Sequence, residues 1–309
     1  MKIPKDAVNE AEWRALEGGA VVHQRTGVAR YELKGPGALA CIQGLVTSDV
    51  SKAPDRSRLY GALLTARGMV VSPLWIERRE PEFFGLEAPA EAAAALEEVF
   101  AKSLPPRLCR WENVTAATIG IGLYGPAVVN EILPFPQALP AVARGAQGLD
   151  GDLDAEDATM IVEALLDGGA VVASHALMAS CRILAGIPAH GAEIDARTLP
   201  QEVRMEELGA ISYTKGCYLG QETVARLHFR GHANRRLALL VLDREPASLP
   251  VEVLGDGKAV GRLTSACWST ELDAWVGEAV LRREIEDGAE VDASGNPAVV
   301  RVDRWLRQP

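Results

Sequence analysis

Two glycines bracket a cysteine in Lys215-Gly216-Cys217-Tyr218-Leu219-Gly220-Gln221-Glu222, and Thr223-Val224-Ala225-Arg226-Leu227-His228-Phe229-Arg230-Gly231 follows directly. A cysteine acts as nucleophile or ligand in its thiolate form, which nearby positive charge favours. Lys215 lies two residues before the thiol, and Arg226 and Arg230 follow it. From Ser212 to Leu240 there are five Lys or Arg against one acid, Glu222, in a chain of formal net charge -10. Flanking glycines permit backbone shapes closed to other residues and let a ligand approach closely. The alternative is an inert turn cysteine beside a solvated basic strip.

Cys217 is one of five cysteines, with Cys41, Cys109, Cys181 and Cys267. The number is odd, the spread is wide and no C-x-x-C occurs. Neither a disulfide framework nor a zinc ribbon or four-cysteine iron–sulfur motif is visible. The other four read as small buried hydrophobes. His228 and His232 are four apart and would share a helix face. Either could serve Cys217 as a base, but no orienting acid is identifiable. With Cys217 they make no recognised zinc spacing, so no metal site is expected. His23, His175 and His190 stand isolated. The turn-rich stretches Arg182 to Pro188, Gly191 to Asp195 and Leu199 to Glu202 carry acids that a ligand could use, although most such acids are solvated.

These groups need a scaffold. At 309 residues the chain is one large domain or two ordinary ones. Hydrophobic residues at 48% and charged residues at 24% exclude general disorder. With aromatics at 5%, Ala, Val and Leu must build most of the core. An acidic chain is a poor polyanion binder over its whole surface, so direct nucleic-acid binding is not expected. No apolar run approaches the roughly 20 residues of a membrane span. The N-terminal residues lack an apolar signal region, which makes the cytoplasm the expected location.

Periodicity predicts a helix over Asn9 to Leu16, then strand, turn, strand from Ala20 to Leu33 around Thr26-Gly27. A helix follows at Ala38 to Leu45, and Leu59 to Glu77 reads as a hairpin through Thr65-Ala66-Arg67-Gly68. Pro89 to Lys102 is helical by composition. Thr115 to Tyr124 reads as a strand, Ala127 to Ile132 as the start of a helix, and Leu133 to Gln147 as loop. Met160 to Val162 suggests a strand, and Val171 to Ala185 strand and helix. From Arg236 onward short strands alternate with Gly, Asp, Ser and Pro, including the hairpin turn Gly255-Asp256-Gly257-Lys258. The reading is an α+β body over residues 1–232 and an all-β barrel or sandwich over 233–309.

Lys-Gly-Cys-Tyr-x-Gly-Gln-Glu, then Val-Ala-Arg and Arg-Gly, resembles the signature of the folate-binding YgfZ proteins, relatives of the glycine cleavage T-protein (aminomethyltransferase). Gln43-Gly44-Leu45-Val46-Thr47-Ser48-Asp49-Val50 is similar to the family's N-terminal loop. Ala185-Gly186-Ile187-Pro188 and Leu199-Pro200-Gln201-Glu202 resemble the stretch before the signature. Val260-Gly261-Arg262-Leu263-Thr264-Ser265 looks like the C-terminal barrel motif. The resemblance implies an aminomethyltransferase-like body of two intertwined α/β subdomains around a folate channel, followed by a β-barrel. It implies tetrahydrofolate or a derivative as cofactor.

One carboxylate can accept both donors of a pterin edge, and the T-protein pattern puts its pterin acid at Glu202. Arg226, Arg235 and Arg236 are cations available to the ligand's anionic tail. Lys215, Gly216, Tyr218 and Gln221 are the remaining signature residues assigned to the cofactor, and Cys217 is the working thiol. One departure stands out. Aminomethyltransferases carry acids, one catalytic, at the end of a hairpin whose counterpart here reads Ser72-Pro73, and neither residue is a carboxylate.

The implied function is a tetrahydrofolate-binding accessory protein for assembly or repair of iron–sulfur enzymes, tRNA-modifying ones included. Iron–sulfur proteins would be its partners. The alternative is a folate-dependent one-carbon transferase or demethylase in which another carboxylate, such as Glu193, takes over. A third reading is a binding module that presents the basic strip to an acidic protein or an RNA backbone.

Overall fold

The computed structural model describes residues 1–130, 138–307 and 309. Helix α1 (Glu10–Gly18) starts under a reciprocal cap. The Asn9 side chain accepts from the Glu12 N–H at 2.9 Å, and the Glu12 carboxylate accepts from the Asn9 N–H at 3.1 Å. The chain continues through β1 (Val21–Arg25), β2 (Val28–Lys34), α2 (Ala38–Gln43), β3 (Ser57–Leu64), β4 (Val70–Glu80), β5 (Phe83–Pro89), α3 (Ala93–Ser103), β6 (Arg110–Asn113), β7 (Ile119–Tyr124) and α4 (Pro126–Asn130). After β8 (Leu139–Pro140) and β9 (Gly148–Leu153) come α5 (Ala155–Asp167), β10 (Val171–Val172), α6 (His175–Ala185) and α7 (Gln221–Arg230). Strands β11 (Arg235–Leu242), β12 (Val251–Gly255), β13 (Lys258–Ser269), β14 (Ala274–Arg282), β15 (Glu290–Ala293) and β16 (Pro297–Arg301) complete it.

Among the described residues the strands form two five-stranded sheets and a closed six-stranded barrel. One sheet runs β3-β4-β5-β2-β6 and the other β10-β1-β7-β9-β8. The chain enters the second sheet with β1, crosses to the first for β2 to β6, and returns for β7 to β10. The two halves of the body are therefore intertwined. The barrel follows the order β11-β14-β13-β12-β15-β16, and β11 pairs with β16 to close it. Closure removes the exposed edges that short strands would otherwise present. The α+β body and C-terminal barrel expected from the sequence are the architecture observed.

Two local expectations need correction, and one gains a detail. Strands β1 and β2 flank Thr26-Gly27 as expected, and they join different sheets. β1 pairs with β7 and β10, and β2 with β5 and β6. Met160 to Val162 lies inside α5, where Ala158, Ile161, Val162 and Leu165 pack at helical spacing. α7 ends at Arg230, so His228 and His232 share no helix face. Of the two neighbouring expectations, the helix start at Ala127 falls in α4, and Leu139–Pro140 forms β8 within the stretch read as loop. Positions 131–137 lie outside the described residues.

Buried charge joins the two sheets. Arg25 of β1, Arg30 of β2, Arg58 of β3 and Arg144 meet Glu87 of β5 and Asp150 and Asp152 of β9. Arg58 Nη1 lies 2.9 Å from Asp150 Oδ2, and Arg30 Nε 2.8 Å from Asp152 Oδ1. Burial would raise the Glu87 pKa, but Arg144, Arg25, Arg58 and Arg30 hold it well below the usual carboxylate range.

The N-terminal segment reaches the barrel. The Ile3 N–H donates to Ala266 O at 2.8 Å, and the Ala266 N–H to Met1 O at 2.9 Å. These bonds lay residues 1–3 along β13, some 260 residues away in sequence.

Candidate functional site

A cavity of about 510 Å³ opens where the two sheets, α6 and the N-terminal segment meet. That volume falls within the roughly 300–1,000 Å³ of small-molecule sites. Its walls are mostly apolar, with Val28, Pro73, Trp75, Pro89, Met178 and Ile187. Trp75 is fixed by its Nε1–H, which donates to Val142 O at 2.8 Å, and by the Arg144 guanidinium 4.2 Å from the ring centroid. Arg144 is itself held by Asp150 and Glu87.

The polar groups of the wall come from distant parts of the chain. His23 and His175 meet edge-on, centroids 4.9 Å apart, and burial lowers the His23 pKa. His190 Nε2 lies 3.2 Å from Val71 O, while its buried Nδ1 has no hydrogen-bond partner. The nearest acid to that nitrogen is Glu91, with Oε1 at 4.0 Å. Glu91 and His190 thus offer an acceptor pair at the wall when Nε2 carries the proton.

These residues fit a reduced folate. The pterin's ring N–H and exocyclic amine need acceptors, its flat rings need apolar or aromatic faces, and its tail needs cations. Glu91 with His190 and Trp75 are of the first two kinds and line one cavity, whereas its arginines, Arg144 and Arg182, are each paired with two carboxylates.

Below the cavity, α6 docks on the barrel through Arg182. Its guanidinium bonds Ser265 Oγ at 2.8 Å and Glu193 Oε2 at 3.2 Å, and also contacts Glu278. Glu193 is 2% exposed. It accepts from Thr264 Oγ1 and Ser265 Oγ, both at 2.6 Å, and from the Ala189 N–H at 2.9 Å. Burial opposes ionisation of Glu193, but Arg182 and these donors outweigh it and lower its pKa. Glu278 has the opposite balance. Burial drives its pKa well above the ordinary value despite Arg182.

The signature forms a loop that docks on two others. Lys215 Nζ donates to Val46 O at 2.7 Å and Ser48 O at 2.8 Å, and burial lowers its pKa to about 8. The Ser212 N–H bonds Thr47 O at 2.9 Å, and the Leu219 N–H bonds Gly44 O at 3.1 Å. The motif at 43–50 and the motif at 215–222 are therefore one substructure. Gly220, at φ +82°, lies against the β3–β4 turn, where a Cβ would come within 2.4 Å of Thr65 O. Gly216 has open space around it and no left-handed backbone. Tyr218 is buried, which lifts its pKa to about 12. Its N–H donates to Gln221 Oε1 at 3.2 Å. Cys217 is exposed, whereas Cys109, Cys181 and Cys267 are buried and Cys41 is half-buried.

The remaining expected residues lie elsewhere. Glu202 faces Arg235: Nε to Oε1 and Nη2 to Oε2 are both 2.9 Å, and Oε2 also accepts from the Leu199 N–H. Arg236 donates to Ile285 O. Arg226 is exposed on α7. Neither these residues nor Lys215, Gly216, Cys217, Tyr218 and Gln221 are among those lining the cavity. Of the hairpin pair, Pro73 lines it, while Ser72 is fully buried and donates its Oγ–H to Pro73 O at 2.7 Å. One apolar cluster nevertheless joins Tyr218 and Val224 to Ile187 and Trp75 of the cavity wall. The sequence reading set aside His23, His175 and His190 as isolated and missed Trp75 and Arg144. Nothing in their spacing signals a common wall.

Residues 4–134 match the model of the GCVT N-terminal domain, and residues 235–303 that of the glycine cleavage T-protein C-terminal barrel domain. A protein named tRNA-modifying protein YgfZ from Klebsiella pneumoniae (strain 342) is 30% identical over 237 residues, covering 71% of this chain and 70% of its own. The protein of the same name from Cronobacter sakazakii (strain ATCC BAA-894) is 30% identical over 217 residues, covering 66% and 65%. The crystal structure of glycine cleavage system aminomethyltransferase T from Bartonella henselae superposes with a TM-score of 0.83 at 20% identity, over 96% of this chain and 90% of that one. That likeness shows the fold. The two domain matches and the extended YgfZ alignments together place the chain in the YgfZ family.

Proposed function

We propose that this chain binds tetrahydrofolate or a derivative and supports the assembly or repair of iron–sulfur enzymes, tRNA-modifying ones among them, with Cys217 as the working thiol. One observation carries the reading. Cys217 stands exposed on a loop whose Lys215, Tyr218 and Gln221 side chains are engaged with the protein itself. That arrangement holds a thiol outward for a client protein. The name of the relatives, tRNA-modifying protein, supports the choice of client.

The folate is assigned to the cavity. Glu91 and His190 would accept from the pterin edge and Trp75 would face its rings, while Arg144 and Arg182, each already paired with two carboxylates, would hold the wall in shape. A reduced folate supplies a one-carbon acceptor when bound. Glu202, Arg235 and the signature residues serve instead to join the body to the barrel and to order the Cys217 loop.

Turnover of the aminomethyl-transfer kind is disfavoured. Positions 72 and 73 lack a carboxylate, and Glu193, the substitute considered from sequence, has its oxygens engaged by Thr264, Ser265, Ala189 and Arg182.

Calorimetric titration of tetrahydrofolate tests the cofactor. Glu91→Ala should weaken binding about 10- to 100-fold, the range for a hydrogen bond to a charged group, and His190→Ala about 2- to 10-fold, the range for a neutral pair. Weakening by Glu202→Ala with no effect of the other two would move the ligand to the body–barrel seam. Iron–sulfur enzyme activity in cells tests the thiol, and unchanged activity in a Cys217→Ala strain would sink that role.

A further inference from the structure

The cations of this acidic chain are not evenly spread. Where α7 ends and the barrel begins, His232, Asn234, Arg235, Arg282, Arg283 and Glu284 line an open groove of about 580 Å³. Pairing of β11 with β14 sets Arg235 opposite Arg282, and the Arg283 N–H bonds Asn234 O at 2.9 Å. The acid in the groove is weakly engaged. Glu284 lies 3.7 Å from Arg282, with side chains 65% and 59% exposed, a geometry that contributes little. The side chains of Arg230, His232 and Arg283 have no hydrogen bond or ion pair among the described residues.

Three residues before His232 of the groove, Phe229 is 67% exposed. Its ring is braced edge-on by His228 at 4.7 Å. His228 in turn stacks on Tyr213 at 3.7 Å and is bonded to Glu206 Oε1 at 2.7 Å. Arg226, Phe229 and Arg230 fall on one helix face. A braced ring in water, on a helix that also carries Arg226 and Arg230 and leads into an arginine-lined groove, has the parts of a base-stacking platform on a phosphate track. An acidic peptide would use the arginines and leave the ring without a role.

We propose that the end of α7 and the adjoining barrel groove bind a single-stranded RNA segment, its phosphates along Arg230, Arg282 and Arg283 and one base on Phe229. The choice of RNA rests on the proposed function. The polyanion-and-base chemistry does not.

The test is fluorescence anisotropy with a labelled ten-nucleotide single-stranded RNA across a salt series, using the full chain. The affinity of the wild type should fall with salt. Arg230→Ala and Arg283→Ala should each reduce the log–log salt slope by about 0.7. Phe229→Ala should weaken binding about 5- to 100-fold with the slope unchanged, and Phe229→Trp should restore it. All three positions are on the surface, and melting curves confirm that the variants fold. No binding at low salt, or an affinity indifferent to Phe229→Ala, overturns the proposal. Competition by polyglutamate as strong as by RNA assigns the groove to an acidic protein instead. Equal affinity for the matching DNA overturns the assignment to RNA. A parallel tetrahydrofolate titration keeps the two readings separable, because failure to bind folate would leave the RNA result intact.

Discussion

Arg235 lays its guanidinium along both oxygens of Glu202, two parallel 2.9 Å contacts between the last segment before the signature and the first barrel strand. The carboxylate is nearly buried while the guanidinium is 43% exposed. Arg235→Ala therefore leaves an acid with little access to water. We expect a loss of about 1–3 kcal/mol, read from the urea midpoint. Arg235→Lys should fall between, because it restores charge but not the fork. Equal midpoints for all three proteins would show that the pair does not hold the seam.

Alkylation should rank the thiols. Burial pushes Cys109 up to about 11 and Cys181 and Cys267 up to about 12, and it raises Cys41 as well. Iodoacetamide at neutral pH should modify Cys217 first in the native protein, with the buried set reacting on the timescale of unfolding. Mass spectrometry of peptides at early times decides this. A fast phase that survives Cys217→Ala would refute it.

The two glycines around Cys217 should behave differently. Gly220→Ala strains a left-handed backbone and drives a Cβ into Thr65 O, so it should destabilise by more than about 1 kcal/mol. Gly216→Ala meets open space and should leave stability within about 0.5 kcal/mol. Thermal melts of both variants suffice. Should Gly216→Ala be stable yet inactive in cells, the space above Gly216 is used by a partner rather than by the fold.

Glu278 predicts a pH signature. Its pKa in the fold lies well above the ordinary 4.5, chiefly through burial. The native state then holds a proton that the unfolded chain releases, so this group's contribution is full below pH 4.5 and is lost as pH rises toward the folded value. Glu278→Gln keeps a neutral acceptor near Arg182 without that dependence. Its stability relative to the wild type should climb from pH 4.5 upward. Denaturant curves at several pH values would reject the idea if the difference stayed flat.

Much of this was legible in the sequence, and the reasons differ by element. The all-β tail was visible because short alternating strands with Gly and Asp turns leave only a barrel or a sandwich, and the family resemblance implied the barrel. The hairpin at Thr65 to Gly68 was visible for the same reason. Strands β1 and β2 were legible as strands but their membership of different sheets was not, because alternation encodes which face is buried and not which strand lies alongside. Met160 to Val162 was too short an apolar run to separate a period of 2 from 3.6. The signature was legible as a special segment, but the destination of Lys215, two backbone carbonyls 167 and 169 residues away, was not. The cavity was illegible for the plainest reason. His23 and His175 look like isolated surface residues until the fold brings them into contact, and buried arginines such as Arg58 look in sequence like any solvated cation.

The hydrogen bonds of Ala266 with Met1 and Ile3 set a timetable. Ile3 and Pro4 form part of the cavity wall, yet their partner strand lies in the last fifth of the chain. At about 5–20 residues per second, synthesis takes on the order of 10–50 s to pass from one to the other. Throughout that interval the body can acquire its sheets while the ligand chamber remains open on one side. The cavity wall is thus complete only once translation has passed residue 266, and on the proposed reading a nascent chain arrested earlier should bind tetrahydrofolate more weakly than the finished protein.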